Sequence, residues 1–300
     1  MSSSTLPPSG PPWLAVSALL LNALIWGVSW WPFRQLEAHG LHPLWSTVLV
    51  YLAAVGVVLA WRPQAWRQML AHPGLWLLFV AAGLTNVCFN WAVTTGDVVR
   101  VVLLFYLMPA WSVLLAWPLL GERPRRAALL RLALALAGVV IVLKSPDSPW
   151  PVPSSAPDWL ALAGGMCFAL TNIMLRKLGH TASEGRMLAM FAGGTVMAAG
   201  AGLVGLGLGV VAAPALADAG WPVALGLCLA FLISNLGLQY GAARLAASTT
   251  ALVMLTELLF ASASSAMLAA AEFSTRTLLG GALIVVAAVL AALAPAQPSD

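Results

Sequence analysis

One acidic residue of this chain stands in the middle of an apolar stretch. Glu257 lies within TALVMLTELLF, whereas the other nine carboxylates lie in loops, in tails or at the ends of apolar runs. If this run crosses a bilayer, a charged group at its centre costs about 2.5 to 3.5 kcal/mol on insertion scales and needs a cavity or a partner. We expect Glu257 to bind a cationic group or a proton; the alternative is a hydrogen-bonded residue that holds two helices together.

Carboxamides also interrupt apolar runs, and they do so twice in the same arrangement. Asn86 and Asn90 lie four residues apart, as do Asn235 and Gln239, so each pair shares one face of a helix. Unpaired amides are costly in lipid, and both faces are therefore predicted to point inward. The amides either line a path for a polar molecule or form hydrogen bonds between helices, worth about 0.6 kcal/mol each.

Aromatic side chains supply further candidates for contact with a bound molecule. Trp91 and Tyr240 follow the two amide pairs, near the ends of their runs, where aromatic rings also serve as interfacial anchors. Tyr106 and Trp26 lie deeper, where they contact an apolar or aromatic ligand or simply pack. Weaker amide candidates of the same type are Asn22 and Asn172.

Composition places these side chains in a membrane protein. The chain of 300 residues is 61% hydrophobic and 8% charged, with a mean hydropathy of +0.92, whereas a soluble domain carries about a quarter charged residues. A bilayer core needs about 20 apolar residues per helical span. Ten such runs are present, at residues 13–33, 43–61, 74–94, 98–119, 125–144, 158–178, 185–209, 221–242, 247–270 and 276–295. We predict an all-α integral membrane protein with ten transmembrane helices.

Positive charges predict the orientation of these spans. With the N-terminus inside, ten of the fourteen Lys and Arg residues lie on the cytoplasmic side, as the positive-inside rule requires. Residues 1–12 and 296–300 are then cytoplasmic tails of a multi-pass protein of the plasma (inner) membrane. Residues 1–12 contain no Lys or Arg, so we expect the first run to be a retained span and not a signal peptide.

A connector rich in proline and serine divides the chain. Residues 145–157, SPDSPWPVPSSAP, cannot continue a helix and are predicted to be a periplasmic connector. Five runs precede it in residues 13–144 and five follow in residues 158–295, so the halves insert in opposite senses as inverted five-helix repeats. The two amide pairs align at an offset of 149. Inverted repeats are typical of secondary transporters that work by alternating access around a midplane site.

Two motifs carry a resemblance to a known family. YLMPAWSVLLAWPLLGE, residues 106–122, and TALVMLTELLF, residues 250–260, give a proline-containing fourth span and a glutamate-containing ninth. Together with the layout, they resemble the EamA-type branch of the drug/metabolite transporter superfamily, although Leu258 stands where Pro commonly follows Glu. Residues 106–109 most resemble the aromatic amino acid exporters called YddG. The resemblance implies export of amino acids, aromatic ones included, or of related small metabolites.

The fourth run also suggests where the protein bends. Pro109 lacks a backbone N–H and frees the carbonyl of Phe105, so we expect a kink there that serves as a hinge.

No metal or cofactor is expected, because the histidines lie in loops or at their borders and the three cysteines stand singly in different runs. A GxGxxG match at residues 200–205 follows no strand and is not a nucleotide site. No ATP-hydrolysing motif occurs, so transport is predicted to be secondary, with a small-molecule substrate and with proton coupling through Glu257 open; no nucleic acid partner is expected.

Two alternatives remain to this reading. One is efflux of cationic or aromatic drugs. The other is a membrane enzyme acting on lipid, for which only the helix-end pairs Glu122 beside Arg123 and Glu272 beside Arg276 offer charged groups.

Overall fold

The computed structural model describes residues 12–120, 126–143, 153–179, 181–215, 220–242, 253–254, 256–268 and 274–292. Within these ranges the regular structure is helical and no β-strand occurs. The helices are α1 (Pro12–Val28), α2 (Trp30–Ala38), α3 (Pro43–Trp61), α4 (Ala65–Ala71), α5 (Gly74–Thr95), α6 (Val98–Phe105), α7 (Met108–Leu120), α8 (Arg126–Leu143), α9 (Ala156–Lys177), α10 (Ser183–Gly207), α11 (Trp221–Ala242), α12 (Thr256–Met267) and α13 (Thr275–Ala292).

Among the described residues, six helical segments are long and apolar enough to cross a membrane. They are Trp13–Ala38, Pro43–Trp61, Gly74–Thr95, Ala156–Leu175, Ser183–Gly207 and Trp221–Leu238. Two shorter apolar segments are Leu129–Ile141 and Leu278–Ala287. Each predicted run overlaps one or two helices, but the count of ten spans stays a prediction. The helices are those of a multi-pass membrane protein.

The first predicted run differs from the structure at its end. The helix does not stop at residue 33 but breaks at Ser29 and continues as α2 to Ala38. The Ser29 hydroxyl donates to the Trp26 carbonyl at 2.8 Å. Hydropathy placed the end too early because the segment after the break carries Arg34 and Glu37.

The fourth predicted run is interrupted upstream of its proline. α6 ends at Phe105, a turn follows at residues 106–107, and α7 begins at Met108. The interruption thus lies just before Pro109, after the Phe105 carbonyl, and the hinge role of Pro109 stays a prediction. Pro109 lies in the first turn of α7, where a missing N–H breaks no intrahelical hydrogen bond.

Glycines let α5 and α10 approach closely at the centre of the bundle. A Cβ added at Gly83 would meet the Gly193 carbonyl oxygen, and one added at Gly193 would meet the Phe79 carbonyl oxygen. Small residues permit such backbone contact between membrane helices. α5 is the most buried of the six spanning segments, with 72% of its apolar window inside the protein.

Contacts between helices occur in corresponding sets across the two halves of the chain. α5 packs on α9, and α11 packs on α1. α6 and α7 pack on α9, as α12 packs on α1. α3 contacts α10 and α8 contacts α13, which pairs helices of equal rank in the two predicted halves. The halves therefore interleave around a shared interior.

Candidate functional site: a cavity between the two halves

A cavity lies where helices of both halves meet. Its empty volume is about 780 Å³, a figure that includes the open space at its mouth. Side chains of α1, α3, α5, α6, α9, α10, α11 and α12 form its wall, together with Met254. The polar wall residues are Asn22, Tyr51, Thr85, Asn86, Thr171, Ser234, Asn235 and Glu257.

Aromatic rings form much of the remaining wall. Trp26 stacks on Phe231, with ring centroids 4.6 Å apart, and meets Phe89 edge-on at 6.0 Å. Phe89 in turn lies 4.7 Å from Phe105. These offset and edge-on arrangements are the favourable ones for aromatic pairs, and they give the cavity an apolar, polarisable surface.

Glu257 is the acidic residue of the described wall. It is the second residue of α12 and only 7% exposed. α12 is brought against α1 because Gly27 has no side chain: a Cβ there would lie 2.8 Å from the Glu257 carbonyl oxygen and 2.7 Å from Phe260 Cβ. Close packing on α1 thus places the carboxyl group beside the α1 face that carries Trp26.

Tyr106 contacts Glu257 from the break between α6 and α7. Its hydroxyl lies 3.0 Å from Glu257 Oε2 and 2.9 Å from the Met254 carbonyl oxygen. A hydroxyl carries one proton, and a carbonyl oxygen only accepts. The hydroxyl is the donor in both contacts, so the Met254 carbonyl and the Glu257 carboxyl group compete for its one proton.

Asn22 joins the two halves at the cavity wall. Its Nδ2 donates to the Ser234 carbonyl oxygen at 2.9 Å and to Ser234 Oγ at 2.6 Å. The residue is 1% exposed, and its Oδ1 atom has no hydrogen-bond partner within the described protein. A buried acceptor of this kind is costly unless a bound molecule or water pairs with it.

The first predicted amide pair is divided between two roles. Asn86 lines the cavity; its Nδ2 donates to the Ala82 carbonyl at 2.7 Å, and its Oδ1 accepts from the Tyr51 hydroxyl. Asn90, 1% exposed, donates to Thr47 Oγ1 at 3.0 Å and is not part of the described wall. Asn90 thus forms a contact between α5 and α3.

The second predicted set is divided similarly. Asn235 lines the cavity, whereas the side chain of Gln239 falls outside the described part of the chain. Tyr240 is half-buried on α11 and lies outside the described wall. Trp91 packs edge-on to His42, with centroids 5.2 Å apart, away from the cavity.

Asn172 was expected to face inward, but its side chain is exposed. Its neighbour Thr171 faces the cavity instead, because successive residues of a helix point about 100° apart. Tyr106 contacts Glu257, and the predicted site residues that lie in the wall are Glu257, Asn86, Asn235, Trp26 and Asn22.

Several wall residues were not singled out from the sequence. Phe89, Phe168 and Phe231 stand in apolar runs like any packing residue, and only the fold reveals their common surface. Tyr51 did carry a signal, because it lies in the middle of the second run, whereas interfacial anchors lie at the ends. Outside the wall, the lipid-enzyme alternative depends on Glu122, Arg123, Glu272 and Arg276, of which only Arg276 falls within the described residues, where it is exposed.

An ion pair joins the two halves where α6 and α9 begin. Arg100, in the first turn of α6, holds Asp158, in the first turn of α9, through Nε–Oδ1 at 2.8 Å and Nη2–Oδ2 at 2.9 Å. The Asp158 side chain is 2% exposed and also accepts from the Ser154 backbone N–H at 3.0 Å. This two-pronged geometry is the strongest form of such a pair.

No group of His, Cys, Asp and Glu side chains among the described residues has an arrangement that could hold a metal ion. The polar groups of the cavity are instead suited to hydrogen bonds and to a single charge.

Apolar helices around an internal cavity define this protein as a multi-pass membrane protein. Residues 13–144 match the EamA-like transporter family.

Three curated bacterial relatives are similar to the chain. An uncharacterised transporter of Pseudomonas aeruginosa is 28% identical over 54% of this chain and 54% of its own length. Protein RarD of Streptomyces exfoliatus is 28% identical over 51% and 49%, and an uncharacterised transporter of Vibrio cholerae is 29% identical over 58% and 56%. The chain spans about half the length of these relatives.

The fold is similar to that of a solved crystal structure. It superposes with a TM-score of 0.59, covers 92% of this chain and 96% of that chain, and is 18% identical in sequence. At this identity the likeness concerns the fold alone.

Proposed function

We propose that this protein is a secondary transporter that exports small organic molecules across the plasma membrane by alternating access. The observation that carries the proposal is the cavity between the two halves, with the carboxyl group of Glu257 in its wall. The match of residues 13–144 to the EamA-like transporter family and the similarity to proteins named as transporters support transport over enzymatic chemistry.

An inverted repeat of ten helices is the architecture we assign to this function. The contacts between helices support it, because the contact of α5 with α9 corresponds to the contact of α11 with α1 in the proposed repeats. Thr85 and Ser234, and likewise Asn86 and Asn235, are equivalent positions of the proposed repeats, and both pairs line the cavity. Two equivalent halves can exchange conformations, which opens one mouth while the other closes.

Glu257 is proposed to alternate between a proton and a cationic group of the substrate. The Tyr106 hydroxyl donates to Glu257 Oε2, and in the proposed cycle the carboxyl group carries a proton when no cation is bound. A bound cation would favour the carboxylate and release the proton. Export would then be coupled to proton entry.

Two substrate classes follow. The resemblance to aromatic amino acid exporters favours amino acids or related metabolites. The aromatic wall around one carboxyl group also suits cationic or aromatic drugs, because ring faces attract cations. Both classes bring a positively charged nitrogen to Glu257.

Counterflow in proteoliposomes tests this function. Purified protein is reconstituted with a panel of amino acids and aromatic cations inside, and uptake of the labelled compound is followed with and without a proton gradient. We expect saturable flux for at least one class, lost in Glu257→Gln and kept in Glu184→Gln, which removes an equal charge outside the cavity. Flux no greater than that of protein-free vesicles for every compound would defeat the proposal.

A further inference from the structure

Five polar side chains of the cavity wall already donate hydrogen bonds within the protein. The hydroxyls of Thr85 and Thr171 donate to the carbonyl oxygens of Ala81 and Cys167, at 2.8 and 2.9 Å. The Asn22 amide donates to both oxygens of Ser234. The Tyr51 hydroxyl and the Asn86 amide are likewise engaged. A substrate carboxylate, which only accepts hydrogen bonds, would compete with each of these bonds.

The wall also offers two acceptor side chains to a ligand, Asn22 and Glu257. Asn22 Oδ1 is buried without a partner in the described protein, in a side chain that lines the cavity. Glu257 adds a carboxyl group that is 7% exposed. An alkylammonium group has three donors and no acceptor, so its hydrogen bonding is complementary to these two side chains.

The position of the rings completes the fit. Trp26 lies four residues after Asn22, on the same face of α1, and stacks on Phe231. A ring held beside Trp26 would place an amine two carbons away close to the polar groups of the same face. Ring faces also attract the ammonium group itself.

We infer that this cavity selects aromatic amines with a single positive charge, the arylalkylamines, over the zwitterionic amino acids with the same ring. The ammonium group donates to Glu257 and Asn22 Oδ1, and the ring packs on the aromatic wall. This inference rests on the proposed transport function and narrows its substrate class.

Four ligands that share one aromatic ring separate the effect of the ammonium group on binding from that of the carboxylate. Phenethylamine has the ammonium group alone, phenylalanine adds the carboxylate, phenylalanine methyl ester keeps the bulk without the negative charge, and 3-phenylpropionate has only the carboxylate. Affinity is measured by isothermal titration calorimetry on the purified full chain in detergent. We expect the amine and the ester to bind at least about tenfold more tightly than phenylalanine, and no heat from 3-phenylpropionate.

Variants test the assigned partner of the ammonium group. Glu257→Gln keeps the shape of the side chain and should weaken phenethylamine at least about tenfold, whereas Glu184→Gln should bind it like the wild type. Unchanged amine binding in Glu257→Gln overturns the assignment.

The outcomes also separate this inference from the transport function. Phenylalanine binding as tightly as its ester, or any binding of 3-phenylpropionate, overturns the amine preference even if counterflow shows transport. Tight amine binding without counterflow supports the site and defeats transport. Absence of amine binding in the wild type overturns the inference, whatever the flux of other compounds.

Discussion

At the residue scale, one hydroxyl proton of Tyr106 serves two acceptors. The tyrosine oxygen lies 2.9 Å from the Met254 carbonyl oxygen and 3.0 Å from Glu257 Oε2. Gain or loss of a proton by the carboxyl group therefore rearranges both contacts. Because Met254 and Glu257 lie in the wall, protonation is linked to the shape of the cavity.

Removal of the Tyr106 hydroxyl should alter pH dependence more than folding. We expect Tyr106→Phe to lower the free energy of unfolding by about 1 kcal/mol and to change the pH profile of counterflow between pH 5.5 and 8.5. Glu257→Gln should make any remaining flux independent of pH. Identical pH profiles in Tyr106→Phe and the wild type would show that the pair takes no part in coupling.

His42 provides a second pH-dependent contact, outside the spanning helices. It caps α3, since its Nδ1 accepts from the Leu44 backbone N–H at 3.3 Å, and burial lowers its pKa below the ordinary value. As the pH falls below about 6.5, the unfolded chain takes up this proton before the folded protein does. Stability therefore falls as the pH falls and recovers as it rises.

Replacement of His42 should remove part of this dependence. His42→Asn keeps a side chain that caps helices well but does not titrate. The drop in Tm between pH 7.5 and 5.5, measured in detergent, should be smaller in His42→Asn than in the wild type. An equal drop in both proteins would assign the acid sensitivity to other groups.

At the scale of helices, hydropathy located the elements and not their interruptions. Apolar length is set by the bilayer, so the runs overlap the helices. The turn at residues 106–107 depends on packing of Tyr106 against α12, which a sequence pattern does not contain. Pro109 marks only where an N–H is absent.

For the site, the sequence pattern likewise located candidate residues but not their contacts. Glu257, Asn86 and Asn235 stand out because a polar group in an apolar run needs a partner. That rule does not say which partner, so it left Asn90 open between lining a path and bonding another helix; the Asn90 side chain donates to Thr47 of α3. It also cannot separate inward-facing from outward-facing positions one residue apart, as Asn172 illustrates.

Two glycines of α10 make a matched test of helix packing. Gly193→Ala places a methyl group against the Phe79 backbone, whereas Gly200 has nothing within 4 Å of an added Cβ. We expect Gly193→Ala to cost about 1 to 3 kcal/mol and Gly200→Ala to be neutral or to stabilise, by up to about 1 kcal/mol. Thermal unfolding in detergent measures both; equal shifts would refute the close contact.

At the scale of the whole molecule, the cavity and the ion pair lie towards opposite sides. Wall residues Met190 and Phe191 follow the start of α10, and Leu238 precedes the end of α11, the ends predicted to be cytoplasmic. Arg100 and Asp158 lie where α6 and α9 begin, on the opposite predicted side.

The ion pair should show strong coupling between the halves. Removal of one partner of a buried pair costs about 3 to 5 kcal/mol, and Arg100, 25% exposed at its side chain, should fall at the lower end. We expect Arg100→Gln combined with Asp158→Asn to lose less than the sum of the single variants in a double-mutant cycle of unfolding free energies. Additive losses would mean that the pair does not hold the halves together.

The glycine contact between α5 and α10 has a mechanical consequence. Two backbones that touch without intervening side chains can turn against each other, but neither can slide along the other without a clash. This contact would then act as a fixed pivot, and the helices farther from it, α1, α11 and α12, would sweep through the larger arcs as the access side changes.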